Sequence, residues 1–429
     1  MGGHYRLACL HCGETFEEPE ESFLLGCRSE HPPALLRAVY REKSFKVDAS
    51  SPGIFRYSEW LPTRRILHSA GAPVVYRSLA LSKRLGLDRL FISFSGYWPE
   101  RGAFLESCSF KELEALAVYA RLPDGMRKSL VVCSAGNTGR AFLNIGSLHG
   151  IPTLVVVPQA ALADMWMTRG KHPSVRLAVL EAPADYLDAI ELGDAICGLD
   201  RFSPEGGARN VARRDGLGTV LLAACEEIGE IPMHYFQAVG SGTGGIAAWE
   251  MSMRLREDGR FEGRKTRLHL VQNEPFAIMT DAWRKGSRQL EAMPESDARE
   301  RIGRLHSRVL SNRKPPYAIR GGLYDALKDT GGSMYAVTAE EARRAGELFE
   351  TLEGCDLDPA AEVALAGLIQ AVESGLRGSG ESVLLNVTGG GQRKLQGEGR
   401  IRGTKPDLFF TMEDARRKRV AAALGGGRE

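Results

Sequence analysis

From about residue 85 onward the chain alternates two kinds of apolar pattern. Short, nearly continuous apolar runs occur as LFISF at 90–94, SLVVCSAGN from 129, TLVVVP from 153 and VRLAVL from 175. Runs without polar alternation suit strands covered on both faces. Between them lie stretches with helical spacing, such as KELEALAVYARL and GRAFLNIGSLHG. Strand, helix, strand in this order predicts a parallel sheet with right-handed crossovers. The rhythm returns later. YFQAVGSGTGG precedes a helix starting near Ile246, and LHLVQNEP from 268 and SVLLNVTGGG from 382 are further strand-then-loop units. The expected fold class is therefore α/β, with two doubly wound lobes. The expected divisions are an N-terminal Cys-containing element at 1–35, a segment at 36–88 packing on the larger lobe, a smaller lobe at 89–200, a larger lobe at 201–410, and a C-terminal helix with a disordered tail at 411–429. The Gly- and Arg-rich stretch SPEGGARNVARRDGLGT at 203–219 is placed near the crossing between lobes.

Composition narrows the classes. The 429 residues suffice for two or three domains with ample core. With 56 basic and 54 acidic residues the formal charge is +2, which argues against a nucleic-acid binder working through bulk charge. No apolar run approaches the roughly 20 residues that span a bilayer. The start, MGGHYRLACLHCG, lacks the charged-then-apolar pattern of a signal peptide. A cytoplasmic protein without membrane association is expected. Of eight cysteines, three cluster near the start and five are scattered singly, which is not a disulfide framework.

Four loci could carry chemistry. In SFKELEA, at 109–115, Lys111 stands in the first turn of a helix, and Ser109 and Glu112 have capping-box spacing. The partial positive charge of a helix N-terminus disfavours an ammonium, and a neutral amine is what forms an imine with an aldehyde. In CSAGNTGRAF, Ser134, Ala135, Gly136, Asn137 and Thr138 pass from strand to helix and offer N–H groups and short polar side chains to a carboxylate. In VGSGTGGIAAW, Gly240, Ser241, Gly242, Thr243, Gly244 and Gly245 open a helix and suit a phosphate. No Lys-Ser/Thr pair follows, so this is not a P-loop, and a mononucleotide or phosphorylated cofactor fits better than a dinucleotide. In NVTGGG, Thr388 ends a strand with a neutral hydroxyl suited to a pyridine nitrogen.

This lysine, Asn loop, Gly loop and terminal Thr, in this order, resemble the fold-type-II pyridoxal-phosphate enzymes (tryptophan synthase β-like), which include cysteine synthases, serine dehydratases and threonine synthases. The matching motifs are S-F-K at 109–111, S-x-G-N-x-G from Ser134 to Gly139, and the Gly-rich loop from Gly240 to Gly245. The resemblance spans roughly residues 50 to 395. The stretches PGIFRYSEWLP, FSGYWPERGAFLESCSFKELEA and EGGARNVARRDGLGT resemble more narrowly the cysteate synthase family of methanogenic archaea, paralogous to threonine synthase.

That resemblance implies pyridoxal 5'-phosphate as cofactor and β-replacement as the reaction. Phosphate leaves O-phospho-L-serine and sulfite adds, giving L-cysteate on the way to coenzyme M. Threonine synthesis from O-phospho-L-homoserine is the alternative. Lys111 is implied as the catalytic lysine, Ser134 to Thr138 as the substrate-carboxylate loop, Asn137 beside the cofactor ring, Gly240 to Gly245 around its phosphate and Thr388 at its ring nitrogen. A homo-oligomer is expected by analogy. The two substrate anions call for cations, with Arg101, Arg209, Arg213, Arg214 and Arg320 as candidates. Separately, Cys9, Cys12, Cys27 and His31 form C-x₂-C-x₁₄-C-x₃-H, the donor set of a structural zinc ion.

Overall fold

The computed structural model describes residues 3–261, 265–377, 380–416, 420–421 and 423–424. Two sheets form the body. In the larger, six strands lie in the order Ser333–Val337, Arg267–Asn273, His234–Ala238, Val383–Val387, Leu90–Phe94 and Val74–Arg77. All pair in parallel except the edge strand Val74–Arg77. The smaller sheet has five parallel strands in the order Phe202–Pro204, Ser129–Cys133, Thr153–Pro158, Val175–Leu180 and Leu408–Phe410. Every residue of Thr153–Pro158 and of Val383–Val387 is buried, which explains their unbroken apolar runs.

The strand boundaries agree with the apolar runs, but the lobe boundaries differ. Leu90–Phe94 pairs with Val383–Val387 in the larger sheet, not with the strands of 89–200. Phe202–Pro204 and Leu408–Phe410 join the smaller sheet, although the boundary at residue 200 assigned both to the larger lobe. A strand buried on both faces reads the same in either sheet, so its apolar pattern does not select a partner. The stretch 203–219 carries the chain from strand Phe202–Pro204 of the smaller sheet toward strand His234–Ala238 of the larger. Most of it is the start of helix Val211–Ile228, capped by Asn210, whose Oδ1 accepts from Ala212 N at 3.1 Å. The expected C-terminal helix covers Met412–Arg416, and most of the expected tail lies outside the described residues.

The N-terminal strands Thr15–Phe16, Tyr5–Cys9 and Leu36–Tyr40 make a small antiparallel sheet. Buried charge ties it to the body. Tyr40 donates to Asp215 Oδ2 at 2.6 Å, and Arg254 donates to Asp215 Oδ1 at 3.1 Å. Arg214, fully buried, donates to Glu250 Oε2 at 2.8 Å and also to the Leu36 carbonyl. At the far end of helix Lys111–Arg121, Arg121 binds Glu18 and donates to Asn210 Oδ1 at 2.5 Å.

Ligand crevices in open α/β sheets open at the carboxyl ends of strands where the winding reverses. His234–Ala238 and Val383–Val387 are neighbours in the larger sheet, and their other partners lie on opposite sides. Val239 and Gly240 follow the first of these strands, and Thr388 follows the second.

Candidate active site

Lys111 opens helix Lys111–Arg121. The preceding residues are sewn to the end of strand Val383–Val387. Phe110 N donates to the Thr388 carbonyl at 2.9 Å, and Ser109 bridges Gly389 in antiparallel register. Backbone pairing thus sets the lysine beside Thr388. The expected capping box does not form. Ser109 Oγ accepts from Lys111 N at 3.3 Å, but the Glu112 carboxylate turns away to Ser107 N at 2.8 Å. Complete capping boxes occur instead at Asp185/Asp188 and Thr338/Glu341. Lys111 Nζ lies 3.3 Å from Glu114 Oε2 and 4.6 Å from the Phe110 ring centre. Burial pulls the amine below the ordinary lysine range; the charge of Glu114 opposes this and that of Arg213 adds to it.

The Asn loop follows strand Ser129–Cys133 and starts helix Asn137–His149. Ser134 Oγ accepts from Gly136 N at 3.0 Å and from Gly139 N at 2.7 Å, so its hydroxyl shapes the loop itself. Gly136 has φ +154°, and a Cβ there would lie 2.7 Å from Val309 Cγ1. Asn137 is fixed at both ends: Oδ1 accepts from Arg140 Nη2 at 2.7 Å, and Nδ2 donates to Asp358 Oδ2 at 3.2 Å. Asp358 N in turn donates to the Gly389 carbonyl at 3.0 Å. One aspartate therefore joins the Asn loop to the turn after Thr388. Thr138 Oγ1 donates to Glu114 Oε1 at 2.9 Å.

The Gly loop runs from strand His234–Ala238 to helix Thr243–Asp258, which begins three residues before the expected Ile246. Gly242 sits at φ +82°, and a Cβ there would lie 2.7 Å from Leu323 Cδ2. Only glycine meets both demands. Ser241 Oγ and Thr243 Oγ1 are 2.8 Å apart. The first N–H groups of this helix have no intrahelical partner, as an anion site requires.

All four segments line one cleft of about 690 Å³. Lys111, Ser134 to Thr138, Gly240 to Gly244 and Thr388 all contribute. Gly245 does not line it; a Cβ there would lie 2.8 Å from Leu270 Cδ1, so this glycine serves the packing of helix on strand. Sequence reasoning misses Tyr186, Gln237, Val309, Leu310, Asn312 and Ala360, which also line it. Nothing in local spacing marks them, because they are scattered over several distant segments. Glu114 is also missed, although its place one helical turn after Lys111, in SFKELEA, is a signal that could have found it.

Of the five candidate arginines only Arg213 lines the cleft. It already faces Glu114, with Nη1 3.1 Å from Oε1, and Glu205, with Nε 2.9 Å from Oε1. Arg214 is spent on Glu250 and Leu36. Arg101 stacks on Tyr76 and Trp98 at 4.0 and 4.7 Å from the ring centres. Arg209 and Arg320 are exposed and outside the cleft wall.

The N-terminal donors do converge. The ligand atoms of Cys9, Cys12, Cys27 and His31 all lie within 4.8 Å of one another. Cys12 Sγ and Cys27 Sγ are 3.7 Å apart, and Cys9 Sγ and His31 Nε2 are 3.3 Å apart. Tetrahedral zinc geometry asks for about 3.8 Å between sulfurs and about 3.5 Å between sulfur and nitrogen. His31 Nδ1 lies 2.7 Å from the Pro32 carbonyl, which leaves Nε2 as the metal-facing atom.

The class follows from comparison with known proteins. The family model described as pyridoxal-phosphate dependent enzyme matches residues 72–389, and that range contains the whole cleft. A threonine deaminase from T.th. shares the fold with a TM-score of 0.55 at 18% identity, covering 74% of this chain and 92% of that one. Maize serine racemase does so at 0.56 and 14%, covering 76% and 93%. Cysteate synthase of Methanosarcina acetivorans is 46% identical over 96% of this chain and 98% of its own length. That of Methanosphaerula palustris is 50% identical over 92% of each. The chain belongs to the pyridoxal-phosphate dependent enzymes and, among them, to the cysteate synthase family.

Proposed function

We propose that this enzyme replaces the phosphate of O-phospho-L-serine with sulfite to give L-cysteate, supplying coenzyme M synthesis. The observation that carries the reading is the meeting of Lys111, the Asn137 loop, the Gly240–Gly244 loop and Thr388 in one cleft, in a chain similar throughout to cysteate synthases. Pyridoxal phosphate, when bound, supplies an aldehyde that condenses with amines and a conjugated ring that takes up an electron pair from the α-carbon. The donor set fits that group: N–H groups at the start of helix Thr243–Asp258 for its phosphate, Lys111 for its aldehyde, and the neutral hydroxyl of Thr388 for its ring nitrogen. The neutral hydroxyl of Thr388 would not protonate that nitrogen, an arrangement suited to loss of a β-leaving group.

Lys111 takes the α-proton and later returns one. Ala135, Asn137 and Thr138 offer the substrate carboxylate the N–H groups of a helix start, while the Ser134 hydroxyl takes the Gly136 N–H and braces the loop from behind. The cleft cations Lys111 and Arg213 both lie beside the buried carboxylate of Glu114. Cys9, Cys12, Cys27 and His31 are read as a closed, structural zinc site, since protein atoms fill all four positions.

The deciding experiment pairs two assays on protein supplied with pyridoxal phosphate. One receives O-phosphoserine and sulfite, the other O-phosphohomoserine. Cysteate with released phosphate in the first, and no threonine in the second, is the expected result. Threonine in the second assay, without cysteate in the first, overturns the reaction while keeping the fold and site.

A further inference from the structure

The amine of Lys111 is the outer end of a buried chain of charge. Glu114 comes one turn later on the same helix, and its side chain has no solvent exposure. Its Oε2 lies 3.3 Å from Lys111 Nζ, while its Oε1 accepts from Thr138 Oγ1 at 2.9 Å and faces Arg213 Nη1 at 3.1 Å. Arg213 is gripped from behind by Glu205 through two parallel contacts, one of 2.9 Å from Nε to Oε1 and a second from Nη2 to Oε2. The residues flanking Glu114, Leu113 and Ala115, are wholly buried and apolar. Helix packing alone asks for another such residue, because a buried carboxylate is costly without several donors. Here three donors from three segments converge on it.

We propose that Glu114 is the positioning residue for Lys111. It receives the amine whenever residue 111 is free and steadies its protonated form, while Arg213, clamped by Glu205, holds the Glu114 side chain in place. The proposal rests on the reading of Lys111 as the cofactor-linked base. In proton abstraction the bond between carbon and hydrogen breaks, the electron pair stays with the carbon, and nitrogen takes the proton. The ammonium so formed needs an acceptor close by and out of the substrate's path. Glu114 supplies it, with Oε2 3.3 Å from Lys111 Nζ. Burial and Arg213 favour the neutral amine and Glu114 the ammonium, so neither form is stranded. Thr138 links this balance to the loop that holds Asn137. Other titratable groups facing the chain of charge are Tyr186, Cys133 and Tyr119, all pushed up by burial and so neutral.

The test measures the reactivity of Lys111 directly. Cofactor-free protein is acylated with a small amine-directed reagent across a pH series, and modification of the Lys111 peptide is followed by mass spectrometry. In Glu114→Gln the profile is expected to move down by about one pH unit, a tenfold change in free amine at a given pH. Glu114→Asp keeps the charge with a shorter reach and is expected to fall between. A residue of purely structural importance would lower the thermal midpoint and leave the profile in place, and that result overturns the proposal. If Glu114→Gln fails to fold, the Asp variant decides alone: an unmoved profile again overturns it. Borohydride reduction of the holoenzyme followed by peptide mapping separates the two layers. Cofactor fixed to Lys111 with an unmoved profile removes only the role of Glu114. Cofactor fixed to another lysine removes the functional reading beneath it.

Discussion

Lys111 occupies a position that no surface lysine needs. Its backbone is locked to the Thr388 turn, and its amine meets a buried carboxylate. Lys111→Ala is expected to abolish covalent attachment of cofactor at residue 111 and to cut turnover by about 10³-fold or more, the scale of a lost general base. Reduction with borohydride and peptide mapping, alongside turnover with saturating cofactor, checks both parts. The next residue makes a different prediction. Glu112 is buried, and burial pushes its carboxyl up to about 7. The folded protein then holds a proton on Glu112 that the unfolded chain has lost, so stability falls as pH rises from the ordinary glutamate range toward 7. Glu112→Gln is expected to flatten that fall, by at most about 1.4 kcal/mol per pH unit. Denaturant melts of both proteins across the range from mildly acidic to mildly alkaline pH measure it, and parallel slopes refute it.

At the scale of elements, the Gly loop and the cysteine cluster are the two local devices. Gly242 combines a left-handed backbone with contact against Leu323. Gly242→Ala is expected to cost about 1–3 kcal/mol of local strain and to weaken cofactor binding about tenfold or more, read by fluorescence titration. The cysteine cluster brackets the stretch that carries Glu18, and Glu18 holds Arg121 at the end of the lysine helix. Purified protein is expected to contain one zinc ion per chain by elemental analysis. Stripping it with a chelator is expected to lower the thermal midpoint by several degrees. Metal-free protein with an unchanged midpoint would mean that the four donors converge without holding an ion. The elements were also the most legible level. The strands near 90, 129, 153, 175, 268 and 382 announced themselves as apolar runs. The helix at Val211–Ile228 did not, because its glycines and arginines disguise it, and its arginines are buried only by virtue of carboxylates elsewhere in the chain.

For the whole molecule, assembly rather than local pattern decides the site. Asp358 stands far along the chain from Asn137, and Glu205 is also distant from Glu114, yet the first pair meets directly and the second through Arg213, around one cleft. The amino acid sequence by itself determined the α/β class, the order of strands and helices, and the four motifs whose side chains suit a phosphorylated aldehyde cofactor. These properties are local: burial on both faces dictates an apolar run, and an anion-binding helix start dictates glycines and hydroxyls. The tertiary structure alone decided which sheet each strand entered, because doubly buried strands are interchangeable by pattern. It also decided which arginine faced the cleft, because a guanidinium goes where buried carboxylates wait for it. Both outcomes depend on partners distant in the chain, and no spacing rule reaches across that distance.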